Sequence, residues 1–203
     1  MNLQPHITAR SVYIPSKLAL SQPASTGKKP SYHIFFLTGN PGCISYYHTY
    51  LSLLADFLSQ SSKHRVNIYG TSLYNFVDEP DSKGVVSLQE QIAHVESTLL
   101  KYAASQVEIE GRGEPAKVIL IGHSLGSYIG LEVIRRLREQ RKQIGEVGSV
   151  DVIGYIGLFA TVTHLAESPS GKKFGVCHVP AQLERVVSDV GSGWVLDCHI
   201  SLK

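Results

Sequence analysis

Cysteine is scarce in this sequence and placed without pattern: Cys43, Cys177 and Cys198 are odd in number, widely scattered, and form no Cys-x-x-Cys. Such a set supplies neither a disulfide framework nor a zinc spacing, and it points to a reducing compartment. His33, His48, His64 and His94 fall in no His-Glu-x-x-His or similar spacing, so neither a metal site nor a cofactor is expected. Long apolar runs are missing too. Nothing approaches the roughly 18 residues of a membrane span, and residues 1–10 carry Pro5, His6 and Arg10 in place of the apolar core of a secretory signal. No transmembrane segment is expected, and any membrane contact should be peripheral. Nor does one sign of charge dominate: 19 Lys and Arg against 17 Asp and Glu leave a formal +2, with no basic stripe interleaved with aromatics to bind nucleic acid.

What the chain does hold is apolar residues at 43% of 203 positions, enough for one domain with a buried core. The most informative stretch is Val118-Ile119-Leu120-Ile121-Gly122-His123-Ser124-Leu125-Gly126-Ser127. Its first four residues suit a parallel strand buried on both faces, and Leu131, Ile134 and Leu137 recur afterwards at helical spacing. A Gly-x-Ser-x-Gly between strand and helix reads as a nucleophile elbow, with Ser124 lifted clear of the sheet as the candidate nucleophile. Gly122 and Gly126 would relieve crowding around the turn, and His123 should pack or hydrogen-bond inside it. The helix N-terminus would face an oxyanion forming beside Ser124, with the Leu125 N–H as one donor.

An earlier stretch repeats the strand, loop and helix arrangement. His33 to Leu37 is apolar, Thr38-Gly39-Asn40-Pro41-Gly42 breaks it, and Tyr46, Tyr47, Tyr50, Leu51, Leu54, Phe57 and Leu58 follow at helical spacing. The loop lacks the Gly-Lys-Ser/Thr of a phosphate-binding loop. In a serine hydrolase with such an elbow, the second oxyanion donor comes from a loop of this kind. Pro41 has no N–H, so Asn40 is the candidate.

Around these two units the pattern predicts a first strand within residues 7–14, a loop at 15–31, a strand at 65–70 and a polar loop at 71–86. Ser87 and Glu90 form a capping box for a helix striped by Leu88, Ile92, Val95, Leu99 and Tyr102. Residues 108–115 read as a linker, Arg135, Arg136, Arg138, Arg141 and Lys142 as a solvated helix face, and residues 151–159 as a further strand. Alternation of strands and helices predicts an α/β fold with a doubly wound, mainly parallel sheet.

Taken together, Leu37-Thr38-Gly39-Asn40-Pro41-Gly42 with Tyr46-Tyr47, Leu88-Gln89-Glu90-Gln91-Ile92, Ile121 to Tyr128, Leu158-Phe159-Ala160-Thr161 and Ala166 to Gly171 resemble the lipid-droplet-associated hydrolase family, a branch of the α/β-hydrolases. The resemblance covers about residues 32–174. It implies a serine hydrolase for lipid esters, with sterol esters or neutral glycerolipids as candidate substrates, acting peripherally at lipid droplets and the endoplasmic reticulum from the cytoplasmic side. By position, Ser124 matches the family nucleophile.

The expected organisation is therefore a partial α/β-hydrolase core at 1–174, incomplete on its C-terminal side, and a divergent, irregular tail at 175–203. A base for Ser124 is hard to place, because the chain order of this architecture is serine, acid, histidine. His164 comes too early for an acid loop to precede it, His178 precedes Asp189 and Asp197, and His199 follows Asp197 by only two residues. Two readings stay open: a serine carboxylic-ester hydrolase, or a catalytically incomplete lipid-droplet-binding or regulatory protein of the same fold. Loss of later strands would also leave 152–159 as an exposed apolar edge prone to aggregation.

Overall fold

The computed structural model describes residues 4–17, 31–77, 86–111, 113–145 and 148–160, together with the backbone of 195–197. Among the described residues seven strands form one sheet: β1 (His6–Ile7), β2 (Ser11–Ile14), β3 (Ser31–Leu37), β4 (Arg65–Thr71), β5 (Ala116–His123), β6 (Val150–Leu158) and β7 (Val195–Asp197). Their order is β1-β2-β4-β3-β5-β6-β7. β1 and β2 pair antiparallel, β2 meets β4 antiparallel, and β4, β3, β5, β6 and β7 run parallel.

The helices are α1 (His48–Ser61), entered through a 3-10 turn at Ile44–Tyr47, α2 (Leu88–Glu110) and α3 (Leu125–Ile144). β3 shows why the sheet is covered on both faces. Its alternate residues Ile34 and Phe36 join a cluster with Leu51 of α1, whereas Phe35 and Leu37 pack with Leu99 and Tyr102 of α2 and Ile129 of α3. Four successive apolar residues, Ile34 to Leu37, satisfy both sides only in such a layered arrangement. The predicted doubly wound, mainly parallel sheet is the observed one.

Several boundaries differ from the sequence reading. The segment predicted as one first strand is a hairpin, because Thr8 Oγ1 donates to Ser11 O and accepts from the N–H of Ser11, closing a turn between β1 and β2. The 108–115 linker is shorter than expected, since α2 runs through Glu110. Both bonds of the Ser87–Glu90 capping box are present. The stripe it predicts is buried at Ile92, Val95, Leu99 and Tyr102, while Leu88 stays exposed. The expectation of an unpaired edge at 152–159 is corrected by β7, which pairs Val195, Leu196 and Asp197 with Tyr155, Ile156 and Gly157.

The basic segment of α3 is tied down more than a solvated face requires. Arg135 holds Glu132 and Glu139, and Arg136 reaches Gln89 at 2.6 Å and Glu96 at 3.4 Å across to α2. The Arg135 guanidinium hydrogen-bonded to Glu132 holds that carboxyl below its ordinary range.

At the amino end of the parallel strands sits a buried polar cluster. His33 and Tyr102 are both 0% exposed, with Nδ1 and Oη 3.1 Å apart. Burial pushes the Tyr69 phenol up to about 12 and the Tyr102 phenol well above its ordinary value, so both stay protonated donors. Tyr102 can therefore donate to Nδ1, leaving the His33 Nε2 edge toward Glu110 Oε1 at 3.5 Å. Tyr102→Phe is expected to cost about 1–3 kcal/mol through a stranded imidazole nitrogen. Tyr102→Ala should cost about 3–5 kcal/mol through the added cavity. Urea unfolding midpoints check both, and an unchanged midpoint in Tyr102→Phe would contradict a role for the hydroxyl.

Candidate active site

The carboxyl ends of β3, β5 and β6 converge on Ser124. β5 ends at His123 and α3 starts at Leu125, leaving one residue to turn the chain. Ser124 makes the turn with φ 49° and ψ −119°. Positive φ is sterically costly for a residue with a Cβ and persists only where the surroundings over-determine it. Here its N–H donates to Leu158 O of β6 at 2.9 Å, and its carbonyl accepts from the Ser127 N–H at 2.9 Å. Ser127 Oγ donates back to Gly122 O at 2.8 Å, and Tyr155 Oη donates to Ser127 O at 2.9 Å.

The glycines are spacing devices. A Cβ on Gly126 would lie 2.5 Å from both Leu37 O and Thr38 O, so the first turn of α3 can sit against the end of β3 only without one. A Cβ on Gly122 would meet Gly126 O and Ser127 Cα at 2.6 Å. Because both obstacles are backbone, neither can swing aside.

The loop after β3 closes over the elbow. A Cβ at Gly39 would fall 2.8 Å from His123 Nδ1 and 3.0 Å from Ser124 Cβ, which puts the loop backbone directly beside the serine. Gly39 and Gly42 are buried, whereas Asn40 and Pro41, joined by a cis peptide bond, are exposed. Leu125, as the first residue of α3, has an N–H with no intrahelical acceptor. The structure thus brings Ser124, Leu125 and the Asn40 loop to one corner.

His123 points to the loop. Its Nδ1 lies 2.9 Å from Tyr47 Oη, and its ring meets Tyr47 and Phe159 edge-on. Desolvation by burial lowers its pKa below the ordinary imidazole value. Tyr47, to which the sequence reading gives a place in the helical stripe and in the Tyr46-Tyr47 motif but no role of its own, also accepts the Gly39 N–H at 3.2 Å. The pattern that could have flagged it is its position just after the loop, immediately before the amphipathic helix.

His164, His178, Asp189 and His199 lie outside the described residues, as do Asp78, Glu79, Pro80, Asp81 and the 161–174 segment; Asp197 enters only through its backbone in β7. Among the described residues no group of three His, Cys, Asp or Glu could hold a metal, and no helix is long and apolar enough to cross a membrane.

A parallel sheet of this strand order with a strained serine between β5 and α3 is an α/β-hydrolase fold. Esterase B of Lactobacillus rhamnosis shares it, with a TM-score of 0.50 and 15% identity over 94% of this chain and 60% of that one. Within that class the chain belongs to the lipid droplet-associated hydrolase family, whose profile matches residues 30–193. The match runs past Phe174, where the sequence resemblance was read as ending. Lipid droplet-associated hydrolase of Dictyostelium discoideum is 32% identical over 137 residues, covering 68% of this chain and 40% of that protein. The Gallus gallus protein of the same name is 27% identical over 151 residues, covering 70% and 41%. The chain thus spans about two fifths of the length of these relatives.

Two outcomes follow from the geometry. Gly126→Ala must push α3 off β3 and is expected to lower stability by at least about 2 kcal/mol, read as a fall in melting temperature. An unchanged melt would mean the turn is looser than described. His123, with its pKa depressed on folding, contributes stability that is complete above the unfolded value near 6.5 and is lost as pH falls through the folded value. NMR titration of its ring protons should give a midpoint below about 6.5; a midpoint at or above that contradicts the burial argument.

Proposed function

We propose that this chain carries the nucleophile and oxyanion hole of a serine carboxylic-ester hydrolase acting on lipid esters, sterol esters or neutral glycerolipids, at the surface of lipid droplets and the endoplasmic reticulum. The observation that carries the reading is the conformation of Ser124, φ 49° and ψ −119°, imposed between β5 and α3 with Gly39 packed beside its Cβ. Strain of this kind is retained where a side chain must be aimed. The names of the relatives support hydrolysis and the droplet.

In this reaction the Ser124 hydroxyl oxygen attacks the ester carbonyl carbon, and its proton passes to a histidine base. Negative charge on the carbonyl oxygen is met by the N–H groups of Leu125 and Asn40 and by the N-terminus of α3. Collapse of the tetrahedral intermediate expels the alcohol, which takes the proton, and water then releases the acid from the serine. No cofactor takes part in these steps.

One observation favours the second reading, a lipid-binding or regulatory protein without turnover. The described histidine–carboxylate pair, His33 and Glu110, is remote: His33 pairs with Val118, six residues before Ser124 and roughly 20 Å down the strand. His123 has its Nδ1 committed to Tyr47. The enzyme reading therefore needs a base for Ser124 from outside the described residues, and the second reading needs none.

Fluorophosphonate labelling and p-nitrophenyl ester turnover, run on the chain and on Ser124→Ala, decide between the two. The enzyme reading expects labelling that disappears in Ser124→Ala, with turnover falling by about 10³-fold or more. A folded chain that neither labels nor turns over ester supports the binding protein.

A further inference from the structure

The loop after β3 is fastened at both ends, and the fastenings differ in kind. At its far end the Leu73 N–H donates to Gly42 O at 2.8 Å, the Ile44 N–H donates to Ser72 Oγ at 2.9 Å, and Ser72 Oγ donates in turn to Ala9 O at 2.8 Å. That end is pinned by backbone and core. Gly39 at the near end has no side chain to pack, so only its peptide groups can be gripped, and its N–H is held by Tyr47 Oη at 3.2 Å.

The Tyr47 ring is itself fixed. It lies 4.7 Å from the Phe36 ring and 5.6 Å from the His123 ring, on the 3-10 turn that brings the chain back under its own loop. With the oxygen accepting from Gly39, the hydroxyl hydrogen is left for His123 Nδ1 at 2.9 Å. One hydroxyl therefore satisfies a buried N–H of the loop and a ring nitrogen of the elbow together.

We infer that Tyr47 is a positioning residue: its phenol ties the loop at Gly39 to the elbow at His123 and so sets where the Asn40 N–H stands relative to Ser124. The inference rests on the acyl-transfer reading above, because it assigns Tyr47 a part in building that oxyanion hole. Tyr47 does not touch the reacting atoms. It acts through the Thr38–Gly39 peptide, one unit before the peptide that carries the Asn40 N–H, where a misplacement of about 1 Å is enough to weaken a donor whose worth depends on geometry.

Tyr47→Phe isolates the hydroxyl, since the ring keeps its contacts with Phe36 and His123. Its neighbour Tyr46, 70% exposed, supplies the control Tyr46→Phe. The three chains are compared by amide hydrogen exchange and by fluorophosphonate labelling at several probe concentrations, with protection of the β5 amides showing that each is folded. Exchange at Gly39 and Asn40 should quicken in Tyr47→Phe alone, and its maximal labelling rate should fall by about tenfold. The probe concentration giving half-maximal rate should stay within about twofold. Unchanged exchange in Tyr47→Phe overturns the tie. Faster exchange with unaltered labelling overturns the positioning role. A wild-type chain that never labels overturns the acyl-transfer reading itself, and with it the catalytic meaning of Tyr47, whatever the exchange shows.

Discussion

Everything near Ser124 depends on one close approach, the first turn of α3 against the last carbonyls of β3. Gly126 faces Leu37 O and Thr38 O at a separation that excludes a Cβ. Because α3 is held that near to β3, the chain leaving β5 has only Ser124 in which to reverse, and the positive φ follows. The strained serine is thus a geometric consequence of helix placement, stabilised by burial of Ile129, Leu131, Val133 and Ile134 behind it.

The same approach couples three strands to the site. β3 and Thr38 just after it supply the carbonyls that Gly126 meets, β6 supplies Leu158 O to the Ser124 N–H, and Tyr155 reaches from β6 to Ser127 O. A parallel sheet presents its strand ends together, and here those ends are cross-linked by hydrogen bonds rather than merely adjacent. Burial of Tyr155 and Gly157 beside these bonds makes them costly to open and keeps the strand ends rigid.

The elbow and the loop after β3 were readable from sequence because each is written locally: an apolar run, a glycine break and a helical stripe within about twenty residues. The capping box of α2 was readable for the same reason, since Ser87 and Glu90 are three apart. Tyr47 was not. Its phenol joins Gly39, eight residues back, to His123, 76 residues on, and no periodicity encodes that meeting. The hairpin of β1 and β2 was missed because two and four residues are too few to show alternation, and their pairing is set by Thr8 and by β4. β7 escaped for a related reason, as three residues gain their strand character from the ladder of β6.

The two ends of the sheet carry different burdens, and the difference explains where polar groups are buried. At the amino end His33, Tyr102 and Glu110 gather beneath Tyr13 and Tyr69, with Tyr13 hydrogen-bonded to Gln106; the distance of this cluster from Ser124 leaves it a role in packing α2 on the sheet. At the carboxyl end the buried polar groups are backbone N–H and C=O of the elbow and loop, satisfied by Ser127, Tyr47 and Tyr155. Side-chain networks tolerate small shifts by changing rotamer, whereas backbone gripped by a fixed ring does not. Precision is therefore concentrated at the end where an ester carbonyl would have to be held, and the aromatic ring of Tyr47, wedged between Phe36 and His123, is the part that converts core packing into the placement of the Gly39 peptide.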